Sequence, residues 1–175
     1  ESILCDIDPF TFNIDPDLIE QKINENTVGI LPVHVFGNPC KTNIIEKIAK
    51  KNDLKVIYDA AHCFGVKYKG ISMANYGDMA MFSFHATKIF HTIEGGALSF
   101  QDENFSRKLY LLKNFGIENE NEVSISGTNG KMNEFQAIMG LLNLKNISEQ
   151  ISIRKKLHLL YRDLLENLEG IRLLE

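Results

Sequence analysis

Between Ser2 and Asp59, apolar runs alternate with amphipathic stretches in a fixed rhythm. Ser2–Ile7, Val28–Val33 and Lys55–Tyr58 read as strands. Asp15-Pro16 is a helix start: the carboxylate can cap free N–H groups, and the proline sits where no N–H is needed. Leu18, Ile19 and Ile23 give that helix one apolar face. Gly37-Asn38-Pro39 marks a turn, and a second helix opens at Thr42 or Asn43 with Ile44, Ile45, Ile48 and Ala49 facing a core. Strand, helix, strand, helix, strand implies right-handed crossovers and a mainly parallel sheet. Ligands of such sheets bind outside the carboxyl ends of the strands. Asp6, His34 and Asp59 fall at those ends.

Downstream, Val66-Lys67-Tyr68 and Gly70 suggest a short extended piece and a turn. Met79–Phe84 is a strand that leads into Lys88, and Glu94-Gly95-Gly96 lets the chain reverse into a strand at Ala97–Phe100. Glu103–Asn114 is amphipathic through Phe105, Leu109 and Leu112. Glu118–Gly130 is rich in Asn, Glu, Ser and Gly and reads as an exposed loop. Met132–Leu144 is helical and apolar on more than one side, which predicts deep burial or an interface. A long helix is expected from Ser148 to Gly170, followed by a strand at Ile171-Arg172-Leu173.

The net charge of −4, with no basic block, gives nucleic acid and anionic membrane surfaces no electrostatic handle. No apolar run is long enough to span a bilayer, and no signal peptide is expected. Cys5, Cys40 and Cys63 are odd in number and form no CxxC, so a reducing, cytoplasmic setting with thiols packed as small apolar groups is expected. No metal-ligating pattern stands out.

Two residues carry the chemistry. Lys88 sits in a polar turn directly after an apolar strand, flanked by His85, Thr87 and His91. Most lysines are solvated surface groups. One in a desolvated or cation-rich site can be neutral and so form a Schiff base. Asp59, at a strand end and followed by small Ala60 and Ala61, can approach a flat ring. The plainer reading is that Asp59 caps the following turn.

Four ordered motifs carry a resemblance. Tyr58-Asp59-Ala60-Ala61-His62, Ser83-Phe84-His85-Ala86-Thr87-Lys88, Glu94-Gly95-Gly96-Ala97 and Asn129-Gly130-Lys131-Met132-Asn133-Glu134 resemble, in order and approximate spacing, the sugar aminotransferases of the DegT/DnrJ/EryC1/StrS family. These belong to the fold-type I pyridoxal phosphate enzymes. The resemblance implies a three-layer α/β/α fold with a mainly parallel mixed sheet, like the large domain of aspartate aminotransferase. It implies pyridoxal 5'-phosphate as cofactor, with Lys88 as its covalent anchor and proton shuttle. Asp59 would pair with the pyridine nitrogen, and His62 would lie beside the ring where many members have Gln. Ser83 would donate to the phosphate, and Asn129 would reach the phosphate of a partner in a homodimer with composite sites. Glu94-Gly95-Gly96 would be the tight turn beside the site, and His34 in its Pro-Val-His segment would be structural.

The implied reaction moves an amino group from glutamate to a nucleotide-linked keto-sugar. The Val33–Cys40 and Phe84–Gly96 runs look most like enzymes that make dTDP-4-amino-4,6-dideoxyglucose for surface polysaccharide, from dTDP-4-keto-6-deoxyglucose. Family members are much longer, so the chain is expected to hold an incomplete fold. Residues 1–147 would form the central part of the large domain, and residues 148–175 a linking helix and the start of a small domain. Two other readings are a sugar dehydratase of the same family, which has His in place of the lysine, and a truncated, non-catalytic fold and dimerisation domain.

Overall fold

The computed structural model describes residues 1–174. Its centre is a mixed sheet of β1 (Gly29–Ile30), β2 (Lys55–Asp59), β5 (Met79–Ser83) and β6 (Gly96–Phe100), in that spatial order. The β1–β2 and β2–β5 pairings are parallel, and β5–β6 is antiparallel. Between β2 and β5 lies a small hairpin, β3 (Lys67–Tyr68) and β4 (Ile71–Ser72).

The helices follow their local signals. In α1 (Pro16–Lys22), Asp15 Oδ1 accepts the Asp17 N–H at 3.1 Å and Pro16 occupies the first turn. In α2 (Thr42–Lys51), Ile45, Ile48 and Ala49 are buried, one turn apart on a single face. They pack with Ile19 of α1, Ile30, Val56, Tyr58, Met73 and Ala80 into one core. Lys55 and Ile57 alternate outward along β2 while Val56 and Tyr58 point into that core. At full burial, each of these aliphatic side chains contributes about 2 kcal/mol.

Several expectations change. Ser2–Ile7 is not a strand: only Ile7 makes a bridge, to Ile14, and Leu4 is 87% exposed. Those apolar side chains find no neighbouring strand among the described residues. The Val28–Val33 strand narrows to Gly29–Ile30 because Pro32 has no N–H for the ladder, although its carbonyl still accepts the Asp59 N–H at 2.9 Å. Glu118–Gly130 is not wholly loop: β7 (Ile117–Asn119) and β8 (Glu122–Val123) form a two-stranded hairpin. Ile171–Leu173 is not a strand.

The largest difference is α4, one helix from Glu134 to Leu165 where two were expected. Ser148 looks like a start signal, but no proline or glycine lies between Leu141 and Leu165 to interrupt the hydrogen bonds. The start of α4 is a capping box, with Asn133 Oδ1 accepting Gln136 N–H and Gln136 Oε1 accepting Asn133 N–H, each at 2.9 Å. Phe135, Ile138, Leu141 and Leu142 are exposed, so Met132–Leu144 is not deeply buried in this chain. α4 touches the rest through Gly140, which is buried.

Candidate active site

β5 and β6 are joined by a long excursion, Phe84 to Gly95, with Lys88 near its middle. Its base is closed by backbone bonds: Phe84 N–H donates to Gly95 O (2.8 Å) and Thr92 N–H to Phe84 O (2.9 Å). The Thr92 hydroxyl, buried, donates to Glu94 O at 2.7 Å. A side chain at Gly95 would collide with that hydroxyl, and one at Gly96 would meet Phe82 O at 2.8 Å, which is why this reversal takes paired glycines. Lys88 N–H donates to His85 O (2.9 Å). His85 Nδ1 accepts the Thr87 N–H (3.2 Å) and lies 2.9 Å from Thr87 Oγ1. The ring proton therefore sits on Nε2, which faces Glu94 Oε1 at 3.6 Å.

Three aromatic rings fasten this excursion to the turn after β2. Phe64 stacks on Phe90 (centroids 4.1 Å, planes 11° apart), and Phe84 meets both edge-on at 5.9 and 4.8 Å. The sequence offered no signal for this triad beyond three separate phenylalanines.

Asp59 ends β2 and is in register with Met81 of β5, so the carboxyl end of β2 and the Ser83–Lys88 segment are neighbours. Asp59 Oδ1 accepts the Ala61 N–H at 3.0 Å. This is the turn cap that the plainer reading expected, and it leaves Oδ2 without a protein hydrogen bond among the described residues. His62 and Lys88 line one cavity of about 260 Å³ with Phe36, Ala61, Phe64, Thr87 and Ile89; Asp59, two residues before Ala61, is not among the lining residues. The lining offers an amine, an imidazole and small Ala61, which suit a flat, anionic, carbonyl-bearing ring, and the Asp59 carboxylate with its free oxygen ends the neighbouring strand. Ala60 is buried in the core.

Ser83 and Asn129 lie elsewhere. Ser83 Oγ accepts the His85 N–H (3.4 Å), and its residue lines a second, larger cavity of about 710 Å³ together with Gly95, Gly96, Gly130 and Met132. Asn129 is exposed, bridges to Asn114 and accepts the Lys131 N–H on Oδ1 at 3.4 Å. The chain does not bring it to the Lys88 cavity.

His34 is structural in its geometry. It is buried, stacks on Tyr58 (4.7 Å, 17°) and accepts the Cys40 N–H on Nδ1 at 3.0 Å. Burial holds its pKa down to about 4, so it is neutral, while the Asp59 charge pulls weakly the other way. Burial likewise pushes the Cys40 and Cys63 thiols up to about 12, consistent with packed, unreactive cysteines.

The sequence profile of the DegT/DnrJ/EryC1/StrS aminotransferase family matches residues 1–175. The chain belongs to that family. Its relatives include a dTDP-4-amino-4,6-dideoxy-D-glucose transaminase of Shigella dysenteriae, 45% identical over 169 residues, which spans 97% of this chain and 46% of the relative. An Escherichia coli protein of the same name is 44% identical over 172 residues, with 97% and 46% covered. Among solved structures, the crystal structure of DesI in the presence of its TDP-sugar product superposes with a TM-score of 0.90 at 36% identity, covering 97% of this chain and 43% of DesI. The expected α/β class with a mainly parallel mixed sheet is therefore the family's own. The chain spans about half the length of the curated relatives it matches. No helix among the described residues is long and apolar enough to cross a membrane.

Proposed function

We propose that the protein is a pyridoxal phosphate-dependent aminotransferase that moves an amino group from glutamate to a nucleotide-linked keto-deoxysugar, with dTDP-4-keto-6-deoxyglucose as the substrate. The observation that carries this reading is the shared cavity of Lys88 and His62, set beside the carboxylate end of β2 by the β2–β5 register. The 45% identity to a named dTDP-sugar transaminase supports the choice of sugar.

The cofactor supplies an electron sink at the reacting carbon. The chain's residues do the rest. Lys88 Nζ would hold the cofactor and, when free, carry a proton to and from that carbon. Asp59 Oδ2, the free carboxylate oxygen, would keep the pyridine nitrogen protonated. His62 would flank the ring. Ser83, which lines the second cavity at the carboxyl end of β5, would donate its hydroxyl to the phosphate. Asn129 serves the site of a second subunit, which fits its exposure and its distance from the Lys88 cavity along the fold. The exposed apolar start of α4 supports a homodimer. Residues 1–147 form the central part of the large domain and residues 148–175 a link toward a smaller one. The enzyme works in the cytoplasm, in surface polysaccharide synthesis.

The test uses the full-length protein with dTDP-4-keto-6-deoxyglucose, glutamate and pyridoxal phosphate. Glutamate-dependent formation of the amino sugar is expected, and Lys88→Ala abolishes it while the circular dichroism spectrum stays the same. Failure of the wild-type protein to aminate any of a panel of keto-sugar nucleotides overturns the proposal.

A further inference from the structure

Phe36 lines the mouth of the Lys88 cavity, is 67% exposed and has φ 56°, in the left-handed region. A bulky side chain there costs about 1–2 kcal/mol and persists only where its surroundings impose it. The surroundings do impose it. Buried Asn13 spends both ends of its amide on this loop: Oδ1 accepts the Val35 N–H at 2.8 Å, and Nδ2 donates to Asn38 O at 3.1 Å. His34 N–H donates to Asp59 O at 3.0 Å, and His34 Nδ1 accepts from Cys40 on the far side. Gly37 packs so closely on His62 O that a Cβ there would stand 2.9 Å away. The loop is thus fastened at both ends to the strand end and turn that carry Asp59 and His62.

That framework presents an apolar ring to solvent at a catalytic cavity, which neither packing nor turn chemistry asks for. A glycine would satisfy the backbone, and the ring buries little against its own chain. A pyranose ring has one face of C–H groups that stacks on an aromatic side chain. Such a contact selects the sugar and its orientation without a hydrogen bond.

Resting on the sugar-nucleotide aminotransferase reading, we propose that Phe36 is a positioning residue for substrate: its ring stacks on the C–H face of the sugar and leaves the nucleotide to other contacts. The sugar carbonyl is thereby turned toward Lys88.

The experiment is calorimetric titration of the full-length, cofactor-loaded protein with dTDP-glucose and with dTDP, for wild type, Phe36→Gly and Phe36→Tyr. Phe36→Gly is expected to weaken dTDP-glucose about tenfold and to leave dTDP within about twofold of wild type. Phe36→Tyr keeps both affinities. The melting midpoint of Phe36→Gly stays level or rises, because glycine takes φ > 0 without strain. Unchanged dTDP-glucose affinity, or equal weakening of both ligands, overturns the stacking role. So does a lowered midpoint or a change in oligomeric state, which makes the ring a packing or subunit contact. A wild-type protein that binds neither ligand contradicts the sugar-nucleotide reading itself, and the Phe36 role falls with it.

Discussion

Phe64 and Phe90 lie face to face with ring centroids 4.1 Å apart, so an aromatic stack joins the turn that follows Asp59 to the excursion that carries Lys88. Phe90 is 7% exposed and also meets Phe84 edge-on at 4.8 Å. Its removal leaves a cavity between the two segments. Phe90→Ala is expected to lower unfolding stability by about 3 kcal/mol, and Phe90→Leu by about 1 kcal/mol. Urea denaturation of the full-length protein reads both. Equal midpoints for Phe90→Ala and wild type would remove the triad as the fastening of this site.

His34 links stability to acid. Its folded pKa, about 4, lies below the unfolded value of 6.5, so the unfolded chain binds the extra proton between those values. The contribution is full above pH 6.5 and is lost as pH falls toward 4, at a slope of up to about 1.4 kcal/mol per pH unit. The groups around the ring are neutral Tyr58 and Cys40, with the charge of Asp59 opposing only weakly. His34→Phe keeps the stack on Tyr58 and removes the titration. Denaturation midpoints across pH 7 to 4.5 are expected to fall less steeply in that variant. Parallel curves for the two proteins would rule this linkage out.

Tyr58 is fully buried, and its hydroxyl has no hydrogen-bond partner among the described residues. Burial raises its pKa, with Glu46 adding to the effect. An unpaired buried hydroxyl costs about 1–3 kcal/mol. Tyr58→Phe is therefore expected to be neutral or to raise stability by about 1 kcal/mol. A loss of 2 kcal/mol or more in chemical denaturation would show that the hydroxyl has a partner in the intact protein.

Gly140 lets α4 seat on the Lys88 excursion. A Cβ there would stand 3.0 Å from Thr92 Cγ2, and one turn on, Asn143 Nδ2 donates to His91 O at 2.8 Å. Gly140→Leu is expected to cost about 1–3 kcal/mol and to expose the helix to limited proteolysis, despite leucine's better helix propensity. A more stable Gly140→Leu protein would mean that propensity outweighs this contact.

The parallel half of the sheet was legible because each of its signals is local. Asp15-Pro16 started α1, the 3–4 spacing of Ile45, Ile48 and Ala49 set the face of α2, and the end of β2 placed Asp59. Ser2–Ile7 misled because an apolar run makes a strand only beside another strand, which sequence periodicity does not report. Ser148 misled because a cap-like residue does not stop a helix whose hydrogen bonds continue. At the site, Lys88, Asp59 and His62 stood out by position and motif. The side chains that hold them did not, since the Phe64–Phe84–Phe90 cluster and the Asn13 clasp join residues far apart in sequence.

The central claim is that Lys88 carries the cofactor. Borohydride reduction of the full-length protein loaded with pyridoxal phosphate, followed by peptide mass spectrometry, tests it directly. The account predicts a reduced phosphopyridoxyl group on the peptide that contains Lys88, and no such group in Lys88→Ala. A label on a different lysine, or none on the wild-type protein, would contradict it.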